Sequence, residues 1–585
     1  MVAARQRSLS SSIARLHGDE RTVGSPLNKA ELRAMRRTRI FGATGTMLMG
    51  IGALGAGARP VVQDPTFGVR LLNLPSRIAT VSLTMTTTGA VMMALAWLML
   101  GRFTLGPRRM SRSQLDHTLL LWMVPLLIAP PMYSKDVYSY LAQSQISANG
   151  LNPYKVGPAP GLGLDHVFTL SVPSLWRETP APYGPLFLWI GRGISALTGE
   201  NIVAAVLSHR VMVLIGVGLI VWAVPRLARR CGVAEVSALW LGAANPLLLM
   251  HLVAGIHNEA LMLGLMLTGT EFALRGISGP AGSAAAGIVS APLLPRPLHW
   301  PHGRREWAAW APLGLLTGGA VLITMSSQVK LPGLLALGFV GMALAHRWGG
   351  TVKAFLLAST LAVGLSVVVM ALIGWASGLG FGWIFTLGTA NVVRSWMSPP
   401  TLLALGTGQV GILLGLGDHT TAVLSLTRAM GVLIIMITVT WLLLAVLRGK
   451  LHPVGGLGVA LGATVLLFPV VQPWYLLWAI IPLAAWATRP GFRIATIAVS
   501  LIVGIFGPTA NGDRFALFQI VDATVASTVI VLMLIVLTLH RLPWRKVPGT
   551  TEAFSGQDPD PAPPAEPPTQ PPASRPAPGA YAESP

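Results

Sequence analysis

Apolar runs of roughly 17–24 residues recur from about residue 40 to 540, broken by short basic loops, and they constrain this chain more than any other feature. Backbone groups left unpaired in hydrocarbon are costly, so such runs cross a bilayer as helices. Only 11% of the residues are charged and 52% are hydrophobic, against about 25% charged in soluble domains. The expected fold is therefore all-α and polytopic.

Placing the Lys/Arg-rich loops on the cytoplasmic side threads about fourteen transmembrane helices. They are expected near 40–58, 78–100, 117–132, 202–225, 236–254, 259–275, 308–327, 331–347, 352–374, 424–446, 455–471, 475–488, 494–510 and 519–540. Basic loops such as Arg102–Arg112, Arg226–Arg230, Arg489–Arg493 and Arg541–Lys546 then fall inside, with both termini cytoplasmic. Two short Gly-containing stretches, 184–198 and 400–416, fit the parity only as interfacial helices on the outer face. The outer side then carries two long elements, 133–201 and 375–423, where a polytopic protein keeps its chemistry.

The domain reading follows: a cytoplasmic N-terminal tail (1–39), a transmembrane domain (40–546) with a cytoplasmic linker at 276–306, and a disordered Pro-rich cytoplasmic tail (547–585). The first 39 residues carry nine Lys/Arg and lack a short apolar core with a cleavage site, which excludes a cleaved signal peptide. The excess of 42 Lys+Arg over 21 Asp+Glu sits in the loops, so it follows membrane orientation and not nucleic-acid binding. The single cysteine, Cys231, excludes a disulfide framework or thiolate metal cluster. There is no Walker A, G-x-S-x-G or H-E-x-x-H motif, and no soluble segment large enough for a nucleotide-sugar domain.

Candidate chemistry collects at predicted outer helix ends. Asp136, in Met132-Tyr-Ser-Lys-Asp-Val-Tyr-Ser-Tyr140, follows an apolar helix and suits a general base, or a cap for a helix starting at Val137, with Ser134 as the alternative cap. Lys135, Arg177, Lys330 and Arg394 are candidate partners for a donor phosphate. Tyr138, Tyr154 and Tyr183 offer faces for sugar or an interfacial belt, and Arg177 could pair with Glu178. His257-Asn258-Glu259 could hold a sugar, a phosphate or a metal, and Asn245-Pro246 should kink the helix before it. Gln472, Trp474 and Tyr475, with Trp478, form a last outer cluster, either a sugar-stacking platform or an anchor at the interface.

These motifs together resemble the polyprenol-phosphomannose-dependent α-1,6-mannosyltransferases of mycobacterial and corynebacterial lipomannan synthesis. The matching stretches are Pro-Pro-Met-Tyr-Ser-Lys-Asp-Val-Tyr-Ser-Tyr140, Gly-Leu-Asn-Pro-Tyr154, Ala-Pro-Tyr-Gly-Pro185, Gly-Ile-His-Asn-Glu259 and Gln-Pro-Trp-Tyr475. The resemblance spans about 40–546 and is to the MptB type of the GT-C glycosyltransferase superfamily. It implies inverting transfer of mannose from polyprenyl-phosphate-mannose to a phosphatidylinositol mannoside or lipomannan acceptor, at the outer face of the plasma membrane. Asp136 stands at the family's acidic position, as a single acid after Lys135 where some relatives have Asp-Asp; no cofactor is expected, and a divalent cation stays open. Another polyprenyl-phosphate-sugar transferase, arabinosyl or glucosyl, and a lipid or glycoconjugate transporter are the alternatives. A transporter would place charges near the bilayer midplane and use broken-helix repeats, whereas here charges gather at helix ends.

Overall fold

The structure, a computed structural model, describes residues 14–18, 20, 22–278, 304–388, 394–395, 397–507 and 515–544. The Pro-rich tail and most of the 276–306 linker lie outside the described residues.

All fourteen expected spans coincide with helical segments. The first half holds α1 (Lys29–Ala56), the short α2 (Arg70–Arg77), α3 (Ala79–Leu100), α4 (Arg112–Ile128), α5 (Asp136–Ala148), α6 (Pro185–Thr198), α7 (Ile202–Arg230) and α8 (Glu235–Gly242). A π-helical segment, Leu248–Ala254, completes the span that α8 begins. Then come α9 (Glu259–Ser278), α10 (Arg304–Ser327), α11 (Leu335–Arg347), α12 (Val352–Ser377), α13 (Pro399–Leu413) and α14 (Thr420–Leu447). The last four are α15 (Pro453–Leu467), α16 (Leu476–Ala484), α17 (Pro490–Phe506) and α18 (Leu517–Thr538). Helices α6 and α13 occupy the two stretches expected not to cross. Among the described residues the strands are one two-residue parallel pair, Ser25–Pro26 with Arg108–Arg109.

Among the described residues, six helical segments are long and apolar enough to cross a membrane, and five shorter apolar helices accompany them. Helices α12, α14 and α18 leave most of their apolar surface outside the fold, which a bilayer and not water must cover. This is a multi-pass membrane protein.

Helix α1 begins eleven residues before the apolar run expected at 40. Asn28 accepts from the Glu31 N–H at 2.8 Å, and the Glu31 carboxylate accepts from the Asn28 N–H at 2.8 Å. This reciprocal cap starts the helix in polar sequence, where hydropathy is silent.

Lipid tails are as apolar as leucine, so small residues that let backbones touch decide which helices pair. A Cβ at Gly45 would lie 2.7 Å from the Gly89 carbonyl oxygen, fixing α1 on α3. One at Gly216 would lie 2.3 Å from the Ala260 carbonyl carbon, and one at Gly264 would lie 2.5 Å from the Gly216 carbonyl oxygen. The α7–α9 crossing thus sits beside Glu259. Gly216→Val should push α9 away, costing about 1–3 kcal/mol and displacing Glu259. Thermal unfolding in nanodiscs would show the loss, and unchanged melting would contradict so close a crossing.

Candidate active site

Four turns at one end of the helical bundle converge. The first follows α4. Pro130 and Pro131 cannot continue a helix, and Tyr133 turns the chain with φ +66°, in the left-handed region that a bulky residue rarely adopts. The Asp136 N–H donates to Ser134 Oγ at 3.0 Å, and no side chain caps α5 from its N-cap residue, Lys135. Ser134 therefore does the local hydrogen bonding that the sequence left open between it and Asp136. The Asp136 carboxylate stands at the helix N-terminus, where the macrodipole favours negative charge.

The second turn comes from the break at Asn245-Pro246. Asn245 Nδ2 donates to the Leu241 carbonyl at 3.0 Å and to Ser500 Oγ at 2.9 Å, while its Oδ1 accepts from the Leu247 N–H at 2.9 Å. The expected kink is there, and the freed backbone groups are partly rebonded by the Asn side chain. Ile256 then adopts φ +58°, an outlier for a β-branched residue. The two strained turns are tied directly: the Met132 N–H donates to the Ala254 carbonyl at 3.1 Å. Strain of about 1–3 kcal/mol per such residue persists only when the surroundings hold it.

The result is a charged cluster. His257 Nδ1–H donates to the His251 carbonyl at 2.7 Å, which leaves Nε2 facing Asp136 Oδ2 at 3.7 Å. The His257 ring stacks on Trp474, with centroids 3.7 Å apart. Trp474 Nε1–H donates to Glu259 Oε1 at 3.1 Å, and the same oxygen pairs closely with Lys330 Nζ. Lys330 also donates to the Tyr475 hydroxyl at 3.2 Å and lies over the Tyr475 and Trp478 rings. Burial works against the Lys330 ammonium, but Glu259 and Tyr475 outweigh it and hold its pKa above the ordinary lysine value. Lys330 is therefore a fixed positive charge.

The third and fourth turns are the Lys330 hairpin and the Pro-Tyr-Gly-Pro segment docked on it. A Cβ at Gly184 would lie 2.2 Å from the Gln328 carbonyl oxygen, and the Phe187 N–H donates to that oxygen at 3.3 Å. This close approach sets Tyr183 and Lys330 on one wall. Burial, then the charges of Asp136 and Glu259, push the Tyr183 hydroxyl pKa well above its usual value, so it stays a neutral donor.

That wall belongs to a cavity of about 1110 Å³. Its polar end carries Asp136, Tyr183, Lys330, Gln472, Trp474 and Tyr475. Its far end is a groove lined by Leu335, Leu337 and Met342 of α11, Val363, Val367 and Met370 of α12, Val432 and Leu443 of α14, and Phe468 after α15. Two further polar residues, Ser139 and Gln143, line it from α5, and their Oγ and Oε1 have no protein partner. The sequence held their signal, since Asp136, Ser139 and Gln143 stand at i, i+3 and i+7, one helix face. Gln143→Leu should raise the acceptor KM several-fold with little change in kcat; an unchanged KM would remove α5 from acceptor binding.

Several other candidates lie elsewhere. Tyr138 points to the opposite face of α5, where its buried hydroxyl donates to the Ala58 carbonyl at 2.6 Å. Tyr154 donates to the Tyr183 carbonyl at 2.9 Å and so braces that segment from behind. Arg177 does not pair with Glu178; it donates to the carbonyls of Val172 and Leu170 at 2.9 and 3.0 Å, pinning its own loop. Lys135 is the N-cap residue of α5 and is not part of the cavity wall. Arg394 is exposed, also off that wall, within electrostatic reach of Asp418 and Arg428. Asn258 is fully buried beside the cluster with both side-chain polar atoms unpartnered. Among the described residues, no three His, Cys, Asp or Glu side chains are grouped to hold a metal ion.

Residues 39–346 match the family model described as "Alpha-(1->6)-mannopyranosyltransferase, N-terminal domain", and residues 400–536 match "MptB C-terminal domain". The chain belongs to the α-(1→6)-mannopyranosyltransferase family. It is 77% identical to a probable α-(1→6)-mannopyranosyltransferase of Mycolicibacterium smegmatis and 71% identical to an α-(1→6)-mannopyranosyltransferase of Mycobacterium tuberculosis, each over 100% of both chains. It is 38% identical to α-(1→6)-mannopyranosyltransferase B of Corynebacterium glutamicum, over 83% of this chain and 79% of that one. No solved structure matches. The family assignment agrees with the resemblance carried by the acidic turn and the four motifs after it.

Proposed function

We propose that this protein is an inverting α-1,6-mannosyltransferase that takes mannose from polyprenyl-phosphate-mannose at the outer face of the plasma membrane. Its acceptor would be a phosphatidylinositol mannoside or the growing lipomannan. The observation that carries the reading is the single cavity that joins a carboxylate and a fixed ammonium at one end to a long apolar groove at the other. A soluble donor has no use for such a groove, whereas a polyprenyl chain fills it and gains burial of each isoprene unit.

In this reading the groove between α11, α12 and α14 holds the lipid, and the donor phosphate rests by Lys330. The acceptor lies along Asp136, Ser139 and Gln143 with its 6-hydroxyl at Asp136. Asp136 accepts the hydroxyl proton as the oxygen attacks the anomeric carbon from the face opposite the phosphate. The bond from the anomeric carbon to the phosphate oxygen breaks, and its electron pair leaves on polyprenyl phosphate. The phosphate goes from one negative charge to two, and Lys330 is placed to stabilise the added charge. Glu259, with Trp474 and Tyr475, keeps that ammonium in position. His257 is a positioning residue, its Nε2 facing the carboxylate that receives the proton. No metal or cofactor takes part in this scheme.

Purified protein in nanodiscs should transfer mannose from a long-chain polyprenyl-phosphate-mannose to a short α-1,6-mannoside. A water-soluble phosphomannose with a truncated lipid should be at least tenfold poorer in kcat/KM, and GDP-mannose should be inert. Equal use of the truncated donor would remove the groove from the reaction; use of GDP-mannose would overturn the donor.

A further inference from the structure

A second cavity, of about 230 Å³, lies on the other side of α5 from Asp136. Tyr138, whose hydroxyl is held by the Ala58 carbonyl, lines this second cavity, whereas Asp136, Ser139 and Gln143 of the same helix line the first. Arg210 of α7 lines this second cavity and is only 3% exposed. Its Nη1 donates to the Leu127 carbonyl at 2.6 Å, satisfying one of the open carbonyls at the end of α4. Its Nε and Nη2 have no partner. Those two N–H groups point the same way on a guanidinium and make a complete fork for a planar oxyanion edge.

Arg59 lines the same cavity. Its Nη1 pairs with Asp64 Oδ2 at 2.7 Å and with Thr66 Oγ1 at 3.2 Å, while its buried Nε is unpartnered. Asp64 Oδ1 is itself engaged, by the N–H and hydroxyl of Thr66 at 2.9 and 2.8 Å. Two guanidiniums against one carboxylate leave an excess positive charge in a pocket otherwise walled by Leu54, Ile128, Val206 and Leu207. A buried cation in apolar surroundings is costly unless something pairs with it.

We infer that this cavity binds the phosphate of an anionic membrane phospholipid, with Arg210 and Arg59 on the phosphate oxygens. The overlying helix favours a lipid over free phosphate. Helix α2 contributes Leu72 to the cavity and buries none of its own residues. It exposes Leu71 and Leu74, with Phe67 just before it, between Arg70 and Arg77. That is the pattern of a helix lying in a membrane interface, at the depth where headgroup phosphates sit.

The test is native mass spectrometry of delipidated full-length protein offered phosphatidylglycerol or diacylglycerol, with melting temperatures measured beside it and in inorganic phosphate. Wild type should retain one phosphatidylglycerol that Arg210→Met binds about tenfold or more weakly. Val203→Phe, which fills the cavity and leaves both arginines, should lose the same lipid, so the result does not depend on how well the Arg210 variant folds. Diacylglycerol should not be retained, and millimolar phosphate should leave the melting temperature unchanged. Equal retention by both variants, equal retention of diacylglycerol, or stabilisation by phosphate alone would each overturn the proposal.

Discussion

Asp136→Asn should lower kcat for mannosyl transfer by about 10²–10⁴-fold, the range a general base contributes, while the protein folds and melts as wild type does. The reasoning is local. The Asp136 side chain makes no cap for α5, and the turn is held by Ser134, the Tyr133 conformation and the Met132–Ala254 hydrogen bond. An amide in its place keeps the size and loses the proton acceptor. The carboxylate is 26% exposed and faces the cavity, and an amide in the same place still presents a polar atom to the buried His257 Nε2, 3.7 Å from Oδ2. KM values for donor and acceptor should move little. Full activity in a folded Asn variant would take Asp136 out of the chemistry and turn attention to Glu259 and His257.

Lys330→Met should have the largest effect on stability. Glu259 is fully buried, and its Oε2 has no partner even with Lys330 present. Removing the ammonium leaves that carboxylate uncompensated, a loss of about 3–5 kcal/mol when one member of a buried pair is deleted. Glu259→Gln should cost less, because the Lys330 side chain is 19% exposed and keeps Tyr475 as a partner. The double variant Lys330→Met with Glu259→Gln should recover much of the stability and none of the activity. That split separates a structural ion pair from one that also serves a developing phosphate charge. Thermal unfolding of the three variants, with transfer rates beside each, reads it directly; an active double variant would show that Lys330 stabilises the fold alone.

The helices were legible because hydropathy in a membrane chain is nearly one-dimensional, each run long enough to be counted. The two stretches that parity reads as non-crossing, 184–198 and 400–416, were visible as short apolar runs, and they are the helices α6 and α13. What hydropathy cannot see is a helix that starts in polar sequence, as α1 does at the Asn28–Glu31 cap. Pairing of helices was hidden too, because it rests on single glycines such as Gly216 and Gly264 whose partners lie elsewhere in the chain.

The site was legible to the depth of its motifs and no further. The acidic turn, the His257–Glu259 corner, the Lys330 hairpin and the Trp474–Tyr475 pair do meet on or beside one wall. The cations were harder. Arg177 and Arg394 carry the same charge as Lys330, and only the fold puts one into carbonyl bonds, one into solvent and one beside Glu259. Tyr138 shows the same limit, since two residues along a helix from Asp136 is nearly the opposite face.

The most direct test is the stereochemistry and stoichiometry of one transfer. Purified wild-type protein in nanodiscs would be given β-linked polyprenyl-phosphate-mannose and a short α-1,6-mannoside, and the product read by NMR. An α-(1→6)-linked mannose, formed one for one with polyprenyl phosphate, is the predicted result. A β-linked product, or no transfer by well-folded protein with this donor, would contradict the account.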